Sequence, residues 1–211
     1  KFVDLPRKTP QKESTFSRKN NFNEIYARFA KDKASEQASR CSQCGVPFCQ
    51  IHCPLHNNIP DWLMLAAEDR LEEAYEISSS TNNMPEVCGR ICPQDKLCEG
   101  NCVIEQAGHG TVTIGSIEKY ITDYAWDQGW IKPIKVNLER SQSVGIIGAG
   151  PAGLAAAEEL RKKGFDVSQE QLPLNLKGPQ DEDLIIDLAV VGSLESENLL
   201  LYSSGIHGVE G

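Results

Sequence analysis

The chain has 211 residues and a mass of 23.3 kDa, room for one large domain or two small ones. With 21 Lys+Arg against 30 Asp+Glu, a net charge of −9 and a pI near 5.0, it lacks the basic surface that nucleic acid demands of a partner. Hydrophobic residues make up 40% and charged ones 24%, a globular composition, and the longest uncharged stretch, Ser141–Ala157, is too short and too broken by Gly and Pro to span a membrane.

Lys1 opens the chain with no apolar leader behind it, so no targeting segment is visible. Residues 1–40 hold ten basic and five acidic side chains, a net of +5, whereas 168–211 hold one basic and eight acidic, a net of −7. A basic arm on an acidic protein docks an acidic partner or its own body, or else stays solvated. Phe22, Ile25, Tyr26 and Phe29 at i, i+3, i+4, i+7 predict a short amphipathic helix over 22–31. Ala34–Arg40 reads as helix and delivers Cys41 at its end. Pro60 opens a helix over 60–77, and Ile114, Ile117, Ile121, Tyr124 and Ala125 mark another that ends before Gly129. Trp62, Trp126 and Trp130 are read as packing residues.

All eight cysteines fall between Cys41 and Cys102, as Cys41-x2-Cys44-x4-Cys49-x3-Cys53-Pro54 and Cys88-x3-Cys92-Pro93-x4-Cys98-x3-Cys102. Disulfides need an oxidising compartment and usually a small, loop-rich chain, whereas ordinary helices flank these runs. Structural zinc prefers paired Cys-x2-Cys units, a form that only Cys41–Cys44 has. Iron–sulfur ligation accounts best for short Cys runs, a Pro straight after a ligand, and two runs for two clusters. Thiolates packed this densely repel unless a metal core offsets their charge. His52, His56 and His109 are read as surface or hydrogen-bonding residues.

Ser143–Ile147 reads as a buried strand running into Gly148-Ala149-Gly150-Pro151-Ala152-Gly153, then a helix over Leu154–Gly164, then a second strand opening at Phe165–Val167. This is G-x-G-x-x-G in its strand–turn–helix context, with Gly148 for the tight turn, Gly150 for close approach to a pyrophosphate and Gly153 for helix–strand packing. The acid that should hold a ribose about 20 residues on is missing: the chain reads Ser168-Gln169-Glu170-Gln171-Leu172-Pro173 there. The second strand is expected to fail after Val167, with Pro173 against a long strand.

Residues 1–167 resemble the amino-terminal part of the small (beta) subunit family of NADPH-dependent glutamate synthases. The likeness rests on Ala38–Cys49, on Asn58-Ile59-Pro60-Asp61-Trp62, on Cys88–Cys102, on Thr113–Ile121 and on the Gly148–Gly153 loop. The wider group includes dihydropyrimidine dehydrogenase and ferredoxin-linked flavoproteins. The resemblance implies a cytoplasmic protein and two 4Fe–4S clusters in a helical domain, followed by FAD and NADPH domains. Electrons would pass from NADPH to FAD, through clusters, to FMN on a large subunit that makes glutamate from glutamine and 2-oxoglutarate. Carried over, Cys41, Cys44, Cys49 and Cys102 hold one cluster, and Cys53, Cys92 and Cys98 the other. Cys88 and Glu118 compete as its fourth ligand, with Glu118 favoured because the helical pattern leaves that acid near the apolar side. Pro151 and Ala152 join the three glycines as FAD contacts, although without the acid and the enclosing walls flavin should bind weakly or not at all.

Gly178–Gly211 instead resembles the start of a zinc-carboxypeptidase-like domain, with Leu199–Gly205 as an apolar run and His207 and Glu210 as two zinc ligands of an incomplete site. The expected class is mainly α: a helical double-cluster domain over 1–140 with its basic arm, a truncated βαβ dinucleotide-binding start over 141–167, and an unrelated acidic, β-rich tail over 168–211. Such a fusion should not make glutamate alone. The alternatives are a zinc-stabilised interaction module, or the iron–sulfur part of a dihydropyrimidine dehydrogenase-like or ferredoxin-linked flavoprotein.

Overall fold

The computed structural model describes residues 1–178, 181, 183–191 and 199–203, which divide into compact units over Lys1–Ile131 and Lys132–Gly211. The expected boundary at 140 thus falls inside the second unit, and the one at 167 falls where a single sheet continues.

The first unit is helical. Its helices are α1 (Thr15–Arg18), α2 (Lys31–Ala38), α3 (Phe48–Ile51), α4 (Ile59–Ala67), α5 (Leu71–Ser79), α6 (Pro85–Ile91), α7 (Val103–Gln106) and α8 (Ile114–Asp127). The core is built on Trp62, Leu63, Ala74, Ile117 and Ile121, each at most 1% exposed. Helix α8 runs as its periodicity predicts and stops at Gly129, whose φ of +65° suits the position just past a helix end.

Two predicted helices are not formed as expected. Residues 22–31 are not one helix: Glu13 N–H donates to the Ile25 carbonyl at 2.8 Å and Ala27 N–H to the Gln11 carbonyl at 2.9 Å, pairing 11–13 with 25–27 as an antiparallel ribbon. An Asn21 side chain caps the turn by accepting from Asn23 N–H at 2.9 Å, a local bond that competes with helix. Of the supposed apolar face only Phe29 is buried, and Phe22 is wholly exposed. The helix predicted over 60–77 is two, α4 and α5, broken at Asp69, whose φ of +64° is one that Asp tolerates better than most residues. Trp126, taken for a packing residue, is exposed, whereas Trp62 is fully buried and Trp130 packs on Tyr124 at 5.6 Å.

The basic arm docks on its own unit. Arg7 pairs with Glu99 at 2.7 Å, Lys8 with Glu36 at 2.9 Å and Arg28 with Asp127 at 2.6 Å. Arg40, 0% exposed, donates to the carbonyls of Leu5, His109 (3.0 Å) and Gly110 (2.5 Å), tying the arm to the loop after Cys102.

The second unit holds β1 (Ser143–Ile147), α9 (Pro151–Lys162), β2 (Val167–Lys177), β3 (Asp183–Val191) and β4 (Leu199–Ser203) in one sheet of order β2-β3-β1-β4. β1 pairs antiparallel with β3 and parallel with β4, and β2 pairs antiparallel with β3. The second strand therefore does not end at Val167. It runs past Pro173, which sits on an edge strand where a missing N–H is tolerated. Among the described side chains, Val144, Ile146 and Ala157 form a buried cluster with Ala156, Leu160 and Phe165 against them.

Candidate metal centre

The two cysteine runs interleave in space. Cys41 follows α2, Cys44 lies in the next loop, Cys49 is on α3 and Cys102 caps the start of α7, and these four line one cavity. Cys53 lies beyond α3, Cys88 on α6, Cys92 at its end and Cys98 in the following turn. These line a second cavity together with Glu118 of α8. Each run thus contributes a thiol to the cavity dominated by the other. Helix α6 stops where it does because Cys92 precedes Pro93, and with ψ at 142° it takes the extended form a proline imposes on its predecessor.

The first cavity is narrow, about 20 Å³, and walled by Pro47, Phe48, Pro60, Leu63 and Ile104. Ser42 on its lining is exposed, as are the neighbouring Gln43, Gly45 and Val46. The second holds about 250 Å³, where a water needs only roughly 10–15 Å³, and is walled by Leu55, Ile59, Trp62 and Leu97. Ile114, 2% exposed, lines both and forms a shared wall. Among the described residues no three His, Cys, Asp or Glu side chains draw together as a single-ion site. Zinc would need its sulfurs about 3.8 Å apart, from a Zn–S bond near 2.3 Å.

Burial pushes the thiols up: Cys49 and Cys88 to about 12, and Cys41, Cys92 and Cys98 above their ordinary value. Burial also lifts Glu118, 8% exposed, to about 8, with the Asn82 hydrogen bond opposing the rise. Such groups become anions only if a strongly positive centre takes their charge, the situation of a metal-cluster ligand. Donors already face two of the sulfurs. Gln43 Nε2 reaches Cys41 Sγ at 3.3 Å while bonded to the Pro60 carbonyl at 2.8 Å, and Ser42 Oγ lies 3.1 Å from Cys44 Sγ. Hydrogen bonds to ligand sulfurs are among the levers that tune a cluster's potential.

Glycines set the second cavity's geometry. A methyl on Gly89 would lie 2.7 Å from the Lys119 amide nitrogen and 2.9 Å from the Gly115 carbonyl, so α6 and α8 touch backbone to backbone and bring Cys88 beside Glu118. Sequence reasoning missed three residues here. Asn82, 4% exposed, donates to Glu118 at 3.1 Å, Glu99 accepts from Gly115 N–H at 3.2 Å as well as from Arg7, and Arg40 anchors the arm beside Cys41. Asn82 and Glu99 carry no spacing signal, since their partners come from distant helices. His52 and His56 are exposed, and His109 meets Phe2 edge-on at 5.3 Å.

In the sheet unit, Gly148 has φ +105° and Gly150 opens α9 with no side-chain cap, so the loop has the open N–H groups that a phosphate can use. Pro151 occupies the first helical turn and Gly153 is buried. The ribose side of such a site is not built. Gln171 lies in mid-strand opposite Asp187, and β3 stands between β1 and β2. His207 and Glu210 lie outside the described residues.

Two thiol-walled cavities in a helical unit, each lined by four cysteines, define a candidate iron–sulfur domain. The family described as "Dihydropyrimidine dehydrogenase domain II, 4Fe-4S cluster" matches residues 18–130, and the chain belongs to it. It is similar to the glutamate synthase [NADPH] small chain of Azospirillum brasilense, 68% identical over 166 residues, which is 79% of this chain and 34% of that protein. The small chain of Escherichia coli (strain K12) is 50% identical over 77% of this chain and 34% of its own length. The putative oxidoreductase AegA of the same organism is 47% identical over 77% of this chain and 25% of its own. The chain thus spans about a third of the length of these glutamate synthase small chains. A second family, of proteins of unknown function (DUF2817), matches residues 153–211. Among the described residues no helix is long and apolar enough to cross a membrane.

Proposed function

We propose that the helical unit is the electron-transfer part of a glutamate synthase small-chain-like oxidoreductase. It carries two 4Fe–4S clusters, one on Cys41, Cys44, Cys49 and Cys102, the other on Cys53, Cys92, Cys98 and Glu118. The observation that carries this reading is the interleaving of the two runs into two apolar cavities, each walled by at least four anionisable donors. When bound, such clusters accept and donate single electrons. The residues of the chain do the rest. Leu63, Trp62, Ile59 and Ile104 keep water from the sulfurs, Ser42 and Gln43 offer them hydrogen bonds, and Ile114 separates the two sites.

The partner this reading calls for is a glutamate synthase large subunit or a similar redox protein, in the cytoplasm, where the eight cysteines stay reduced. The Gly148–Gly153 loop retains the pyrophosphate cradle of an FAD domain and binds FAD at most weakly in this chain. The 211-residue chain by itself makes no glutamate.

Anaerobic purification followed by iron, acid-labile sulfide and zinc analysis tests the cluster reading. It predicts about eight irons and eight sulfides per chain, from two four-iron clusters. Stoichiometric zinc without sulfide would sink it in favour of a zinc-stabilised interaction module.

A further inference from the structure

We infer that Asn82 is the positioning residue that presents Glu118, and turns Cys88 away, at the second cluster. Asn82 is almost fully buried between α5 and α6, and the three side chains line the same cavity. The Met84 main-chain N–H donates to Asn82 Oδ1 at 3.0 Å. A main-chain N–H can only donate, so this bond decides which end of the amide is oxygen. The amide nitrogen is left to donate to Glu118 Oε1 at 3.1 Å, and the amide oxygen faces Cys88 Sγ at 3.6 Å. A donor opposite Glu118 suits a carboxylate. An acceptor opposite Cys88 is satisfied by an S–H and is repulsive toward the thiolate that a ligand must be. One fixed amide therefore favours one of two neighbouring donors and disfavours the other. The α6–α8 contact at Gly89 holds both within its reach.

This inference rests on the two-cluster reading, and its test keeps the two apart. The full chain and its variants are purified anaerobically. Iron, sulfide, the EPR spectrum and the midpoint potential of each reduced cluster are then measured, with the first cluster's signal as the folding control. Asn82→Asp exchanges the donor for an acceptor at constant shape. It should drop iron from about eight to about four per chain and leave the first cluster's signal intact. The double variant Asn82→Asp with Glu118→Gln reverses the polarity of the pair, and should recover most of the lost iron with a shifted second-cluster potential. Cys88→Ala should keep both clusters. Full iron and an unchanged second-cluster potential in Asn82→Asp would overturn the inference, and so would a double variant as depleted as the single one. Loss of four irons in Cys88→Ala would overturn it too. A wild-type chain without acid-labile sulfide would overturn this inference together with the reading beneath it.

Discussion

The two units of this chain solve the same problem by opposite means. In the sheet unit the described buried side chains are Val144, Ile146 and Ala157 with three neighbours. Its strands pair β1 to β3 and β4, and β2 to β3. The helical unit has an apolar core centred on Trp62, Ile117 and Ile121, yet its middle is given over to two thiol-walled cavities. In the first case the described residues show strand pairing and apolar contacts. In the second, the buried thiols become anions only with something strongly positive beside them. On the proposed cluster reading, metal binding contributes to the folding free energy of the helical unit.

The sharpest way to break this contrast is to remove the metal. Chelation under reducing conditions should lower the stability of the helical unit by at least about 4 kcal/mol, the linkage for occupancy a thousandfold above dissociation. The sheet unit's transition should not move. Calorimetry of holo and stripped chain separates the two, and a common shift of both transitions would contradict the contrast.

A core comparison comes next. Trp62→Ala removes a fully buried indole whose Nε1–H bonds Asn57 at 2.7 Å, and should cost the helical unit about 3–5 kcal/mol and its clusters. Ile146→Ala in the sheet unit should cost less, at the low end of about 2–5 kcal/mol, with no loss of iron. Denaturant midpoints and iron content read both.

Gly89→Ala is a finer instrument. The added methyl has no room against the α8 backbone, so α6 must shift, at a cost of about 1–3 kcal/mol. The expected signature is selective loss of second-cluster iron with the first retained, seen by iron analysis and EPR.

For the sheet unit the corresponding test is flavin. A lost charge-assisted hydrogen bond costs about 1.5–3 kcal/mol, roughly ten- to hundredfold in affinity. The Gly148–Gly153 loop without a ribose acid should therefore give no quenching of FAD at micromolar concentrations, and tight stoichiometric binding would contradict that.

The smallest effect belongs to the arm. The side-chain hydrogen bonds from Lys33 and Lys8 hold the half-buried Glu36 carboxyl at about 2, below its ordinary 4.5. A lowered carboxylate contributes stability above the unfolded value and loses it as pH falls from about 4.5 through about 2. The Glu36→Gln chain should show a slightly weaker pH dependence of its urea midpoint across that window, and an unchanged one would free the arm from this contact.

The same contrast explains what could be read from the sequence. Helix α8 and strand β1 were legible because one face of each is buried and the period survives in the residues. The ligand groups could be named from spacing and resemblance, although spacing alone could not say that Cys102 joins the first cavity and Cys53 the second. That crossing comes from α3 and the start of α7 lining one cavity, a tertiary fact. The 22–31 pattern misled because all of its periodic apolar residues except Phe29 are exposed, the paired ribbon and the Asn21 turn having won over helix propensity. Asp69 hid a helix break inside a continuous pattern, and Pro173 wrongly argued for a strand end because an edge position was not foreseeable.

The central claim is the crossed sharing of ligands between two clusters, and the most direct measurement is EPR with iron quantification on Cys102→Ser beside Cys98→Ser. Although both cysteines stand in the second run, Cys102→Ser should lose the first cluster and spare the second, and Cys98→Ser should do the reverse. If both substitutions cost the same cluster, each run holds its own and the crossed arrangement is wrong.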